Sequence, residues 1–147
     1  MQIILGWIMI VFGTCLYLAQ VISSINFSFA QRIGLQEKAE TSDPLLQRAE
    51  RYTAYWDLFS LVWFPVAGML MVINHQLWPL VSLVAGTIYL DAAGREAVKN
   101  LSFRDEAIKV GTVKEQRVFF GSYIVMGLIA VVVILYSIFP LLDLMRI

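Results

Sequence analysis

Four apolar segments, separated by two charged stretches, constrain this chain more than any other feature. The segments cover residues 3–25, 56–73, 77–93 and 118–142. A helix needs about 20 apolar residues to cross the hydrocarbon core of a bilayer, and each segment meets or approaches that length. With 59% hydrophobic and 15% charged residues, the composition lies outside the range of soluble domains. The sequence therefore predicts an all-α polytopic membrane protein, a single domain over residues 1–147 with four transmembrane helices in an antiparallel up-down bundle.

The first apolar segment differs from a secretory signal. Only Met1 and Gln2 precede it, so it lacks a basic region, and it is longer than the usual apolar region of a signal peptide. We therefore expect residues 3–25 to be a retained transmembrane helix. The single cysteine, Cys15, lies inside this segment and cannot form an intramolecular disulfide.

The basic residues predict the orientation of the bundle. Ten of the eleven Lys and Arg residues lie in the stretches 31–55 and 94–117, and the remaining one is Arg146. Because basic loops are retained in the cytoplasm, we expect both stretches inside and both termini outside. A bacterial inner membrane is the simplest location. Residues 74–76 form a tight turn between the second and third spans, and Pro65 is expected to kink the second span.

The two cytoplasmic loops contain helix signals of their own. Asp43 followed by Pro44 is typical of an N-cap and first helical position, and the helix is expected to continue into the second span. Thr112 and Glu115 have the spacing of a capping box ahead of the fourth span. Residues 95–109 have apolar residues at helical spacing, which favours a short helix on the membrane surface. We thus expect short interfacial helical segments in both loops.

Ionisable residues close to the membrane are the candidates for a functional site, because burying their charge is costly. Asp57 and Asp91 lie at similar depth near the cytoplasmic ends of antiparallel spans, and Arg95 follows Asp91 by one helical turn. Asp57 shares a helical face with small residues, so we expect it to point into the bundle. Other polar candidates for ligand or ion binding on this side are Tyr17, Gln20, Ser24 and Thr87.

Two interpretations of this polar cluster stay open at this point. In the functional interpretation, Asp57 or Asp91 binds a cation or carries a proton at a shallow site open to the cytoplasm. In the structural interpretation, Asp91 and Arg95 form a helix-end ion pair and Asp57 accepts a hydrogen bond from a Tyr or Gln of the first helix. Both interpretations require polar groups that face inward.

Several classes of function find no support in the residues. His75 is the single histidine and lies in the outer turn, so we expect no metal site, no cofactor and no catalytic residues of the Ser-His-Asp type. Zero net charge gives no reason to expect nucleic-acid binding. The loop charges are mixed, with Glu37, Glu50 and Glu96 among the acidic residues, which is typical of a solvated or protein-docking face.

Three functions remain as hypotheses. The first is a non-enzymatic accessory or scaffolding component whose cytoplasmic loops dock on a membrane-protein partner or on a second copy of the chain. The second is a small oligomeric transporter or channel for a cation, proton or small solute, which would use the polar cluster. The third is a membrane enzyme that acts on lipid at the inner interface.

Overall fold

The computed structural model describes residues 1–144 and the side chains of residues 1–142, so Arg146 lies outside the described residues. Within them the chain is helical, and its single β feature is an isolated antiparallel bridge between Ser42 and Val110. The predicted all-α class is confirmed for this part of the chain. The helices are α1 Gln2–Ile25, α2 Phe27–Arg32, α3 Pro44–Ser60, α4 Trp63–Val72, α5 Trp78–Asp105 and α6 Val113–Leu144.

Three of the described helical segments are long and apolar enough to cross a membrane. They are Gln2–Ile25, the continuous stretch Pro44–Val72 that contains α3 and α4, and Val113–Leu142. The predicted span at 77–93 forms the first part of α5, but α5 also carries a charged second half that extends to Asp105.

The boundary between α3 and α4 lies just before Pro65, in the span that the proline was expected to kink. The helix is interrupted at Leu61 and Val62, one turn before the proline. Proline has no N–H for the carbonyl of Leu61, and its ring would clash with that carbonyl in a regular helix. The Phe64 N–H instead donates to the Leu61 carbonyl at 3.3 Å, which tightens the turn locally.

The two predicted helix starts are also confirmed. The Asp43 carboxylate accepts a hydrogen bond from the Leu45 N–H at 2.8 Å, with Pro44 in the first helical position. At the start of α6, the Glu115 carboxylate accepts from the Thr112 N–H at 2.6 Å, and the Thr112 hydroxyl accepts from the Glu115 N–H at 3.2 Å. Each cap satisfies backbone donors that the first helical turn leaves without partners.

The helical state predicted for residues 95–109 is confirmed as far as Asp105, but these residues do not form a separate short helix. Residues 95–105 continue α5 without interruption, and the chain turns only afterwards, where Ala107 and Gly111 adopt positive φ angles of 57° and 85°. No proline breaks this stretch, and a single glycine such as Gly94 costs a helix only about 1 kcal/mol. The first loop does hold a short helix, α2, immediately after α1.

Small residues let the helices approach closely at the end of the bundle away from the loops. A Cβ placed on Gly68 of α4 would lie 2.6 Å from the Gly6 carbonyl oxygen of α1. Similarly, a Cβ on Gly86 of α5 would lie 2.9 Å from the Ile134 side chain of α6. The buried core continues between these contacts, and its fully buried members include Met9, Phe64, Met71, Tyr89, Ala130 and Val133.

The two loops at the opposite end are joined to each other. The Asp43 N–H donates to the Lys109 carbonyl at 2.9 Å, and the Gly111 N–H donates to the Thr41 carbonyl at 3.1 Å. The Thr41 hydroxyl also donates to Glu115 at 3.2 Å. Together these bonds hold the loops as one layer across this end of the helices.

Candidate functional site

Asp57 is buried on the inner face of α3, as its helical register predicts, and its carboxylate retains only 4% of its accessible surface. The described hydrogen bonds to this carboxylate come from Arg95 Nη2 at 3.2 Å and from the Ser60 hydroxyl at 3.4 Å. The interpretation in which Asp57 accepts from a Tyr or Gln of the first helix is therefore wrong. A charged partner on α5 replaces it.

Arg95 connects the two predicted carboxylates. While Nη2 contacts Asp57, Nη1 lies 3.6 Å from Asp91 Oδ2 one turn earlier on α5. The expected pairing of Asp91 with Arg95 is thus present. The two carboxylates differ in environment, because the Asp91 side chain is 69% exposed. Arg95 therefore separates a buried carboxylate on one side from an exposed one on the other.

Of the remaining predicted polar residues, Gln20 and Thr87 line concave surfaces next to this centre, and Tyr17 and Ser24 line neither. Ser24 donates to the Val21 carbonyl and Thr87 to the Leu83 carbonyl, both at 2.8 Å within their own helices. Tyr17 is half-buried against the apolar core. Gln20 alone reaches the same cavity as Asp57.

A second buried charge cluster lies next to Asp57 and was missed by the sequence interpretation. Lys99 Nζ lies 2.8 Å from Glu50 Oε1 and 2.6 Å from Glu96 Oε2. Glu50 is 9% exposed, Glu96 13% and Lys99 17%. The other Glu96 oxygen, Oε1, is buried and has no hydrogen-bond partner in the described part of the chain. The prediction that the charged loop residues form a solvated face is therefore wrong for Glu50, Glu96 and Lys99.

A signal for this cluster exists in the sequence. Glu50 precedes Asp57 by seven residues, which places it two turns away on the same inner face of α3, with Ala54 between them. Glu96 and Lys99 are opposite Glu50 only because α5 continues past Gly94 as one helix. A span that ends at residue 93 and a separate helix over 95–109 do not predict this juxtaposition.

The two clusters border a cavity of about 260 Å³ beneath the loop layer. Four carboxylate side chains line it, and within residues 1–142 no Lys, Arg or His does. The acidic residues are Glu37, Glu50, Asp57 and Glu96. Leu16, Leu61, Met126, Phe119 and Tyr123 are among the apolar and aromatic residues of the wall. We call this space the acidic cavity.

Burial changes the protonation behaviour of the groups at the loop end of the cavity. It raises the pKa of the Glu37 carboxyl above its usual 4.5, although Lys99 partly opposes the shift. Burial alone would lower the pKa of the Lys99 ammonium, but the carboxylates of Glu50 and Glu96 outweigh it, so this pKa is raised above 10.5. Lys99 therefore stays charged, whereas Glu37 favours its neutral form more than an exposed glutamate does.

The charges of the cavity do not cancel when all groups are ionised. The four lining carboxylates carry four negative charges, while Lys99 and Arg95 behind them supply two positive charges. Because Arg95 is also shared with the exposed Asp91, the carboxylates outnumber these basic groups by at least two. The arrangement is suited to hold a cation, and in the described residues no three acidic, His or Cys side chains converge as metal ligands do.

Comparisons with protein-family models, with curated proteins and with solved structures gave no match to this chain.

Proposed function

We propose that this protein binds a small organic ammonium ion in the acidic cavity. One observation carries the proposal: four carboxylates and no basic side chain line a space of about 260 Å³ in the described structure. Buried carboxylates need compensating charge or protons, because an uncompensated ion is costly to remove from water. A ligand with positive charge supplies that compensation.

The chemistry of the wall favours an organic cation over a metal ion. Divalent cations need several converging oxygen ligands, and the carboxylates are instead distributed around the space. Leu16, Leu61 and Met126 offer apolar surface to a carbon chain, and the rings of Phe119 and Tyr123 can stabilise an ammonium group by cation–π contact. A diammonium ion with a short aliphatic linker would supply two positive charges to a space in which carboxylates outnumber the basic groups that contact them.

The proposed setting of this site is a four-crossing bundle in which α5 is the additional membrane span. α5 supports this placement because a short turn connects it to α4 and its buried Ala85, Gly86 and Tyr89 pack within the same core. The basic residues of both loops favour the cytoplasmic side for the cavity, with the termini outside. In a bacterial inner membrane, the ligand would then be a cytoplasmic amine.

A transport role would extend this proposal. The aromatic rings of Phe64 and Tyr89 stack with centroids 3.8 Å apart and, together with the buried Leu61, separate the acidic cavity from the other end of the bundle. A carrier must open this barrier. The interruption of the helix at Leu61 and Val62 is adjacent to this barrier.

An accessory role is the second candidate, and the joined loops favour it. The bonds between Asp43 and Lys109 and between Thr41 and Gly111 hold two distant loops as one layer, which a docking surface requires. Mild-detergent extraction followed by mass spectrometry tests this role. A stoichiometric partner would support it, and a chain that elutes alone would contradict it.

The amine proposal is tested by thermal denaturation of the purified full chain in detergent. The probes are 1,4-diaminobutane, n-butylamine and the neutral 1,4-butanediol. A ligand at 100 times its Kd stabilises the folded protein by about 2.7 kcal/mol. We expect the diamine to raise the Tm most, the monoamine less, and the diol not at all. An equal effect of the diol and the diamine would contradict the proposal.

Glu37→Gln shows whether the amine occupies the acidic cavity. Loss of one charged hydrogen bond costs roughly 1.5–3 kcal/mol, so we expect the diamine to bind about 10- to 100-fold more weakly. Glu40→Gln is the matched control, because Glu40 is exposed in the same loop and does not line the cavity. Equal diamine affinities for both variants and the unmodified chain would place the ligand elsewhere.

A further inference from the structure

A second concave surface lies outside the bundle, on the other side of Arg95. It is a groove of about 510 Å³ between the α3–α4 segment and α5. The exposed side chains of Trp56, Phe59 and Trp63 line it along one side, and Asp91 and Arg95 lie at its loop end. The acidic cavity shares none of these residues. We call this surface the aromatic groove.

The groove has the depth of a lipid site if α5 crosses the bilayer as proposed. At a rise of about 1.5 Å per residue, Thr87 lies about 13 Å along α5 from Trp78, and Arg95 about 25 Å. The hydrocarbon core is about 30 Å thick. The apolar part of the groove therefore lies within the acyl-chain region. Its charged end lies in the loop-side part of the core, from which the long Arg95 side chain can extend toward the headgroups.

At the charged end of the groove, both the cation Arg95 and the carboxylate Asp91 can make further contacts. A guanidinium carries five N–H donors, and the described contacts of Arg95 are those to Asp57 and Asp91. Asp91 contacts Arg95 through Oδ2 alone, and its side chain is 69% exposed. A donor-rich cation and an accessible carboxylate thus lie side by side at the end of an aromatic-lined groove.

We propose that the aromatic groove binds a phospholipid whose headgroup combines a phosphate with a primary ammonium group. The phosphate would contact Arg95, the ammonium would donate to Asp91, and an acyl chain would lie over the aromatic side chains. An anionic headgroup without an amine would bring a further negative charge beside Asp91, with Arg95 already shared between two carboxylates. A choline headgroup has no N–H to donate. Charge complementarity and hydrogen-bond donation together therefore favour the ethanolamine type.

The test uses tryptophan quenching in vesicles that contain the full chain and three phospholipid classes, with ethanolamine, choline and glycerol headgroups. One class at a time carries brominated acyl chains, which quench nearby tryptophans. The groove signal is the difference in tryptophan quenching between the unmodified chain and the W56F/W63F variant, which retains Trp7 and Trp78. We expect the ethanolamine lipid to show about two- to fivefold higher apparent affinity than the other two classes, the range of an exposed ion pair.

Variants on α5 separate a built site from general lipid contact. Asp91→Asn should reduce the affinity for the ethanolamine lipid to that for the choline lipid. Asp105→Asn should leave it unchanged, because Asp105 is exposed on the same helix beyond the groove. Equal groove quenching by all three classes, or a preference that survives Asp91→Asn, overturns the proposal. Absence of groove quenching by any lipid also overturns it and indicates that a protein segment covers the groove.

Discussion

The two ends of this bundle are built in opposite ways. At the end away from the loops, Gly6 and Gly68 bring two backbones into contact, and Phe64 stacks on Tyr89 between this end and the acidic cavity. At the loop end, the helices diverge around a cavity of about 260 Å³, and the side chains that line it include four carboxylates. One end is close-packed and apolar, and the other is open and charged.

Under the proposed function, this difference separates the anchoring end of the bundle from the ligand-binding end. Close packing of small residues stabilises helix association in a membrane, where apolar burial gives little driving force. Buried carboxylates that outnumber their basic partners oppose stability, which agrees with the proposed cation site. We therefore expect substitutions at the packed end to change stability by altering helix packing. Substitutions at the loop end should change it by altering electrostatic interactions.

The largest effect is expected from Lys99→Met, which removes the cation between two buried carboxylates. Loss of one partner from a buried ion pair costs about 3–5 kcal/mol, because the remaining charge has no compensation. Thermal denaturation in detergent would show a greatly lowered Tm. The triple variant K99M/E50Q/E96Q should recover most of the stability. Lys109→Met, in the exposed part of the second loop, is the control and should change little.

A steric change at the packed end should have a smaller effect. Gly68→Ala would place a Cβ 2.6 Å from the Gly6 carbonyl oxygen, and α1 must move because backbone cannot rotate away. Overpacking of this kind costs about 1–3 kcal/mol. Gly94→Ala is the matched control, since a Cβ there meets nothing within 4 Å inside α5. Gly94→Ala should raise the Tm slightly. If both variants lowered the Tm equally, the contrast between the open and the packed position would be contradicted.

The smallest effect is the pH dependence of stability at Glu37. Because its pKa is raised in the folded protein, its favourable contribution is complete below pH 4.5 and is lost as the pH rises through the folded value. Without ligand, Glu37→Gln should therefore match the unmodified chain at low pH and become relatively more stable above it. Paired Tm measurements between pH 4 and pH 8 check this, and parallel pH profiles would exclude Glu37 as a titrating group of the cavity.

Local signals in the sequence predicted the parts of the fold that depend on neighbouring residues. The cap at Asp43, the capping box at Thr112 and the break before Pro65 each follow from backbone chemistry within one helical turn. The inward position of Asp57 and the pairing of Asp91 with Arg95 follow from helical periodicity in the same way. These features need no knowledge of how the helices are arranged.

The features that the sequence did not predict depend on distant parts of the chain. Lys99 meets Glu50 across almost fifty positions, and the contact requires α5 to continue where a loop was expected. The acidic cavity also needs residues 34–37 to fold back over the helices, since Glu37 lies in the first loop. A charged residue in a loop sequence is equally compatible with exposure to water, so charge pattern alone cannot distinguish the two environments.

The position of Arg95 between two carboxylates has a thermodynamic consequence. A phosphate that draws the guanidinium toward the aromatic groove would lengthen its contact with Asp57 and leave that carboxylate more available to an amine. Linkage is reciprocal, so the amine must strengthen phospholipid binding by the same factor. Amine titrations with and without the ethanolamine lipid would measure that coupling, and a factor of one would mean that the sites are independent. The headgroup composition of the membrane would then change the affinity of the protein for the amine.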